Sequence, residues 1–270
     1  MPSSLSAALP FTSRTRKMKP LGIIKMDVVN ILRHGRFGLP SALGIELSTA
    51  CNRSCSYCPQ SLDPKPKQQI VTPEVWSKFL DRLVEFKWNG MVGLHRFGEP
   101  TLVPDFHLYV RELKQVRPKC MPVLFSNGDR PDVIRQAFES GLYRAIITCH
   151  EKTDEPKWLP PLNKLLAKYG SRKLWIRKLE KFGNHAGKME HITVEPLTYC
   201  ADKSSGIGFD VNGTAFMCCE DPDLKTAIWG SIMTKSIHDI WFNPHYVEIR
   251  RKLAAGEPVL PICRGCFGKV

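Results

Sequence analysis

The sequence predicts an α/β protein, a partial (β/α)6 barrel followed by a small C-terminal β-hairpin/helix domain. Three observations lead there. Strand-like and helix-like segments alternate between residues 40 and 196, the pattern of parallel β/α units. Five or six such units fit before residue 197, too few for a closed eight-stranded barrel. After Pro196 the pattern changes, and Asn212-Gly213 separates two short apolar runs. That is a hairpin signal in which both turn positions need positive φ. The chain accordingly divides into a basic extension (1–39), a barrel (40–196) and an appended domain (197–270).

Each element has its own warrant. Ala42 to Leu47 reads as a strand running into a Cys-rich loop. Thr72-Pro73 opens a helix, with Thr as N-cap and Pro at the first helical position. Val75, Trp76, Phe79, Leu80, Leu83 and Val84 then recur at helical spacing. Met91 to Leu94 is a strand, residues 105–116 a helix, and Met121 to Phe125 a strand that stops at Ser126-Asn127-Gly128. Pro131 to Glu139 is a helix, Ala145 to Thr148 a strand, Leu162 to Tyr169 a helix and Leu174 to Ile176 a strand. Gly206 to Val211 and Thr214 to Met217 form the hairpin, and helices follow over Ser236 to Phe242 and up to about Ala254.

Composition excludes several classes. With 270 residues, 43% hydrophobic and 24% charged, the bulk of the chain can fold. No run approaches eighteen apolar residues, so no membrane span is expected, and no fixed repeat is present. The apolar patch Leu5 to Phe11 is broken by Ser6 and Pro10 and precedes its basic residues, unlike a secretory signal. The first 26 residues lack acids and carry Arg14, Arg16, Lys17, Lys19 and Lys25, which suits an organelle transit peptide or, more simply, a basic tail. Without export a disulfide framework is not expected, and the ten cysteines point to a reducing, cytoplasmic compartment. There they are buried hydrophobes, metal ligands or catalytic groups, and spacing must decide.

The first cysteine group is Cys51-Asn-Arg-Ser-Cys55-Ser-Tyr-Cys58, in a loop directly after a strand. A closed zinc site takes four ligands. Three thiolates on a [4Fe–4S] cube leave one iron open. This Cys-x3-Cys-x2-Cys spacing, with an aromatic before the last Cys, resembles the radical SAM superfamily. The resemblance implies that the open iron is chelated by S-adenosylmethionine (SAM). Phe97-Gly98-Glu99-Pro100 resembles the family's Gly-Gly-Glu-Pro motif, with Phe97 in place of the first Gly. By that resemblance Glu99 accepts a hydrogen bond from the SAM amino group; alone it would read as a solvated loop acid. Ser126-Asn127 is similar to the segment approaching the SAM ribose, and Tyr57 would lie near the adenine.

The second group is Cys200, Cys218, Cys263 and Cys266. Cys200-x12-Gly213-x4-Cys218 and Cys263-x2-Cys266 resemble the opening and close of the SPASM/twitch auxiliary domain. With four residues after Cys266, the shorter twitch form with one auxiliary [4Fe–4S] cluster is implied. Four thiolates also suit structural zinc. Cys219 cannot share a face with Cys218, and the Gly-x4-Cys spacing selects Cys218. Cys120 is expected to pack. Cys149 ends the fourth strand, where it is either a hydrogen-atom donor to a substrate radical or a buried apolar residue. His95 and His150 also end strands and either contact substrate or satisfy a loop.

The resemblance implies reductive cleavage of SAM to a 5′-deoxyadenosyl radical, which takes a substrate hydrogen atom in a rearrangement or an oxidation. A one-electron reductant of flavodoxin or ferredoxin type would supply the electron. Substrate is read from charge alone. The formal net charge is +13, with +6 in residues 1–39 and +6 in residues 161–190. An anionic substrate follows, and a modified base of DNA or RNA comes first. The alternatives are dehydrogenation of a small aminocyclitol- or sugar-type alcohol and peptide maturation. A zinc-binding nucleic-acid module is the non-enzymatic reading.

Overall fold

In a computed structural model, the structure describes residues 38–62, 68–149, 155–178, 184–200, 205–218, 220–221 and 229–268. Seven strands form one sheet: β1 (Ala42–Ile45), β2 (Met91–Gly93), β3 (Met121–Ser126), β4 (Arg144–Cys149), β5 (Leu174–Lys178), β6 (Gly206–Phe209) and β7 (Ala215–Phe216). Their spatial order is β5-β4-β3-β2-β1-β6-β7. All neighbouring pairs are parallel except β6 with β7. The sixth parallel strand is therefore the first strand of the hairpin, laid against β1 instead of continuing past β5.

Helices α1 (Pro59–Leu62), α2 (Pro73–Glu85), α3 (Phe106–Val116), α4 (Pro131–Glu139) and α5 (Glu155–Tyr169) alternate with the early strands. Helices α6 (Ile237–Trp241), α7 (Pro244–Ala254) and α8 (Cys263–Phe267) end the chain. Thr72 caps α2 as its sequence requires, accepting from the Val75 amide at 3.3 Å, with Pro73 in the first turn. Helix α5 begins at Glu155 instead of Leu162 and runs through Pro160 and Pro161.

The period of two along each strand sorts the sheet into two faces. Leu43, Ile45, Val92, Leu124, Ala145, Ile147, Ile207 and Phe209 are buried in the main core. Phe79 of α2 meets Phe209 of β6 at 5.9 Å between rings. The intervening residues, including Gly44, Gly93, Val123, Ile146 and Gly208, line the concave interior.

The hairpin is present, but its turn differs from the expected one. Only Gly213 adopts positive φ, at 77°, and Asn212 does not. Asp210 builds the turn instead: its Oδ1 accepts from the Asn212 and Thr214 amides at 3.0 and 2.7 Å, and its carbonyl accepts from the Gly213 amide at 2.9 Å. An aspartate that binds the backbone ahead of it makes a longer loop in which one left-handed glycine suffices.

Candidate functional site

The loop between β1 and α1 carries Cys51, Cys55 and Cys58. It is fixed from two sides. The Glu99 amide donates to the Ala50 carbonyl at 2.7 Å. Asn52 and Arg53 both donate to Asp129 at 2.8 Å, and Asn127 Nδ2 donates to Asn52 Oδ1 at 2.8 Å. Gly98 permits the close approach: a Cβ there would stand 1.9 Å from the Ser48 carbonyl oxygen. The requirement is for contact between two loops, since no left-handed φ is involved.

All three thiols, with Tyr57, Gly98, Glu99, Ser126 and Asn127, line one cavity of about 400 Å³. Burial raises the pKa of Cys51, a backbone hydrogen bond at Arg53 opposes this, and Glu99, Cys58 and Cys55 raise it further. Burial likewise raises Cys58, with Cys55 adding to it. Crowded thiols that penalise one another's ionisation fit a cationic iron core, which would reverse that penalty. Among the described residues, no three His, Cys, Asp or Glu side chains gather tightly enough for a single ion. A four-iron cluster takes one thiolate per iron and holds them further apart. Burial also raises the Tyr57 pKa, and its hydroxyl bonds to the Cys55 side chain.

Glu99 is 4% exposed and caps the turn Pro100–Leu102. Oε1 accepts from the Thr101 amide, the Thr101 hydroxyl and the Ser126 hydroxyl at 3.0, 2.6 and 2.8 Å. Oε2 accepts from the Asn127 amide at 2.8 Å. A carboxylate oxygen offers about two acceptor directions, so Oε2 keeps one for a ligand. Ser126 and Asn127 thus also hold Glu99 in place. Pro100 is buried at the start of the turn and does not line the cavity, so its part is to shape the backbone.

Residues unremarked in the motif reading join this cavity, among them Arg96, Thr148 and Arg177. Arg177 Nε donates to the Thr148 hydroxyl at 3.0 Å. Arg96 pairs with Glu46 at 3.6 Å, their side chains 1% and 0% exposed, and also donates to the Asp221 carbonyl. Its guanidinium lies 4.4 Å from the Phe216 ring centre. His95 lines the cavity, stacked on Phe125 at 4.2 Å, and among the described residues its Nδ1 has no hydrogen-bond partner. Burial, then the charge of Arg177, lowers its pKa to about 4, so the ring is neutral at pH 7.

Cys149 is not brought to the site. It lies on the helix side of β4, 6% exposed in the core with Ala145 and Ile147, while Thr148 takes the interior position. Adjacent strand residues face opposite ways, which removes the hydrogen-atom-donor reading. His150 and Cys219 lie outside the described residues. Cys120 packs as expected, 1% exposed with Sγ donating to the Trp88 carbonyl at 3.3 Å.

Cys200 and Cys263 are close enough that Cys200 contributes, after burial, to raising the Cys263 pKa. Cys263 and Cys266 share one face of α8. Backbone bonds seat this group: the Cys200 amide to the Leu253 carbonyl at 3.1 Å, and the Leu197 amide to the Cys266 carbonyl at 2.9 Å. Cys218 is buried just after β7. The segment following it reaches the first cavity, where Glu220 meets His185 at 2.9 Å.

The neutral state of His95 has a measurable consequence. Unfolding restores an ordinary histidine, so His95 destabilises the fold as pH falls from about 6.5 to about 4. Over that window the His95→Phe variant, which keeps the stack on Phe125, should lose less stability than wild type, by up to about 3 kcal/mol. Urea unfolding at several pH values checks this; parallel curves would contradict it.

The radical SAM superfamily model matches residues 45–194, and a model of an iron–sulfur cluster-binding domain, SPASM, matches residues 200–267. Together these imply SAM and two [4Fe–4S] clusters. The chain is 24% identical over 232 residues to the S-adenosyl-L-methionine-dependent 2-deoxy-scyllo-inosamine dehydrogenase of Niallia circulans, covering 84% of this chain and 92% of that protein. A crystal structure of BtrN in complex with AdoMet and 2-DOIA superposes with a TM-score of 0.72 at 24% identity, covering 81% of this chain and 88% of that one. BtrN in an open conformation gives 0.66 at 23% identity, with 84% and 92% coverage. These structures share the fold. No helix among the described residues is long and apolar enough to cross a membrane.

Proposed function

We propose that this chain, which belongs to the radical SAM superfamily, oxidises a secondary alcohol of a small molecule to the ketone. In this reading Cys51, Cys55 and Cys58 hold the SAM-chelating cluster, and Glu99 Oε2 takes the SAM amino group. Ser126, Asn127 and Tyr57 border the nucleoside, and Cys200, Cys218, Cys263 and Cys266 hold the second cluster. When bound, SAM on the reduced cluster supplies a 5′-deoxyadenosyl radical, and the second cluster supplies a one-electron acceptor. An external one-electron reductant starts each turnover. The alcohol gives up one hydrogen atom from its carbinol carbon, one proton from its hydroxyl and one electron.

The chain's own part is to hold that alcohol. Neutral His95 and the Thr148–Arg177 pair converge beside the thiol cavity. A buried neutral imidazole accepts a hydrogen bond from a hydroxyl without adding charge. Arg177 donates to an oxygen and stabilises it as its proton leaves.

The observation that carries the reading is the size and lining of the site. Cavities of about 400 and 440 Å³ meet at His95, Arg96 and Phe125, dimensions of small-molecule pockets. Of the basic residues in 161–190 that raised the expectation of nucleic acid, Arg177 turns inward, to Thr148. Similarity to a dehydrogenase through both matched regions supports the same choice over a nucleobase. The test is anaerobic. The reconstituted protein with SAM and dithionite is offered cyclic secondary alcohols, single-stranded DNA, duplex DNA and tRNA. Deoxyadenosine and ketone in equal amounts with an alcohol supports the reading; stimulation by a nucleic acid alone overturns it.

A further inference from the structure

Below the thiol cavity lies a second chamber of about 440 Å³, reaching toward the N-terminal ends of the strands at Ala42, Met91 and Gly206. Its wall contains an unusual set of residues. Gly44 of β1 is paired with Gly93 of β2 on one side and with Gly208 of β6 on the other. Three glycines thus stand side by side across three strands. Glycine in a strand interior weakens the sheet, through backbone entropy and lost packing, and marks a bulge, a bend or the close approach of a ligand. Regular pairing through all three excludes a bulge.

Packing explains only one of them. A Cβ on Gly208 would meet the Phe216 ring at 2.2 Å, so that glycine seats the ring. A Cβ on Gly44 would meet nothing nearer than 3.7 Å, and the same holds for Gly93. Those two positions leave room that the described residues do not fill. The atom nearest the missing Gly93 side chain is His95 Nδ1, at 3.7 Å. It is the same buried nitrogen that has no partner among the described residues. The trough therefore presents His95 Nδ1 and the Arg96 guanidinium at its upper end and mostly apolar surface beyond them, from Val123, Ile146, Phe216 and Met217, with Tyr143 and Arg144 also in the lining.

We propose that this chamber binds an apolar ring of the substrate. The substrate is then an alcohol whose hydroxyl meets His95 and whose hydrocarbon ring lies in the glycine trough beneath Phe216. This rests on the alcohol-oxidation reading and narrows it. A polyhydroxylated ring would set most of its hydroxyls against apolar surface in such a chamber, at a cost that disfavours it.

The experiment measures binding without reductant, so no turnover occurs. The reconstituted, SAM-loaded protein is titrated calorimetrically with 4-phenylcyclohexanol and with myo-inositol. Wild type should bind the phenyl alcohol at least about tenfold more tightly. Gly44→Val places three carbons in the trough and should weaken that binding by about tenfold or more. Its iron content and melting temperature should match wild type, because a β-branched residue suits a parallel strand. Should Gly44→Val fail to fold, Gly44→Ala fits without a clash and should weaken binding in the same direction. Equal binding of the two alcohols, or unchanged binding by the filled variant that folds, overturns the proposal. Ketone formation from a polyhydroxylated alcohol would then still leave the dehydrogenase reading standing.

Discussion

Replacing Cys55 by Ala abolishes deoxyadenosine formation and lowers iron from about eight to about four per chain. Cys55 is 8% exposed, on the loop that brings three thiols to one cavity with Glu99. Two thiolates and a methyl group leave the cube short of a ligand. The second thiol group is seated through α7 and α8, so its cluster should survive. Iron and sulfide counts with a deoxyadenosine assay check this under reconstitution. Retained cleavage, or loss of all eight irons, would contradict the separation of the two sites.

Arg96→Leu should destabilise the protein by about 3–5 kcal/mol. Glu46 is fully buried, and Arg96 is a cation facing it at 3.6 Å. Removing one member of a buried pair leaves the other charge less compensated. The variant also forfeits the guanidinium contacts to Phe97 and Phe216. Adding Glu46→Gln to Arg96→Leu removes that charge and should recover part of the loss. Urea unfolding midpoints of both variants measure the difference. A single-variant loss below about 1 kcal/mol would show that the pair does not hold the wall between the chambers.

Much of this architecture was legible in the sequence. Periods of 3.6 and two located the barrel helices and strands, and Thr72-Pro73 marked a helix start that the structure reproduces. The three-thiol loop was legible because its ligands are local. What escaped was long-range or depended on parity. Glu46 and Arg96 follow different strands, β1 and β2, and neither has a spacing that announces the other. Arg177 was counted only in the charge of residues 161–190, whereas strand alternation turns it inward beside Thr148. The same alternation, counted one residue further, would have turned Cys149 away. The pairing of β6 with β1 has no local signal, since some 160 residues separate the strands. The glycine trough is invisible without that pairing, because Gly44, Gly93 and Gly208 become neighbours only in the sheet.

The most direct test of the account follows the hydrogen atom. A cyclic secondary alcohol deuterated at its carbinol carbon is turned over anaerobically, and the deoxyadenosine is weighed by mass spectrometry. The account predicts one deuterium in the 5′-methyl group, with ketone formed in equal amount. Deoxyadenosine without deuterium, while ketone accumulates, would contradict it.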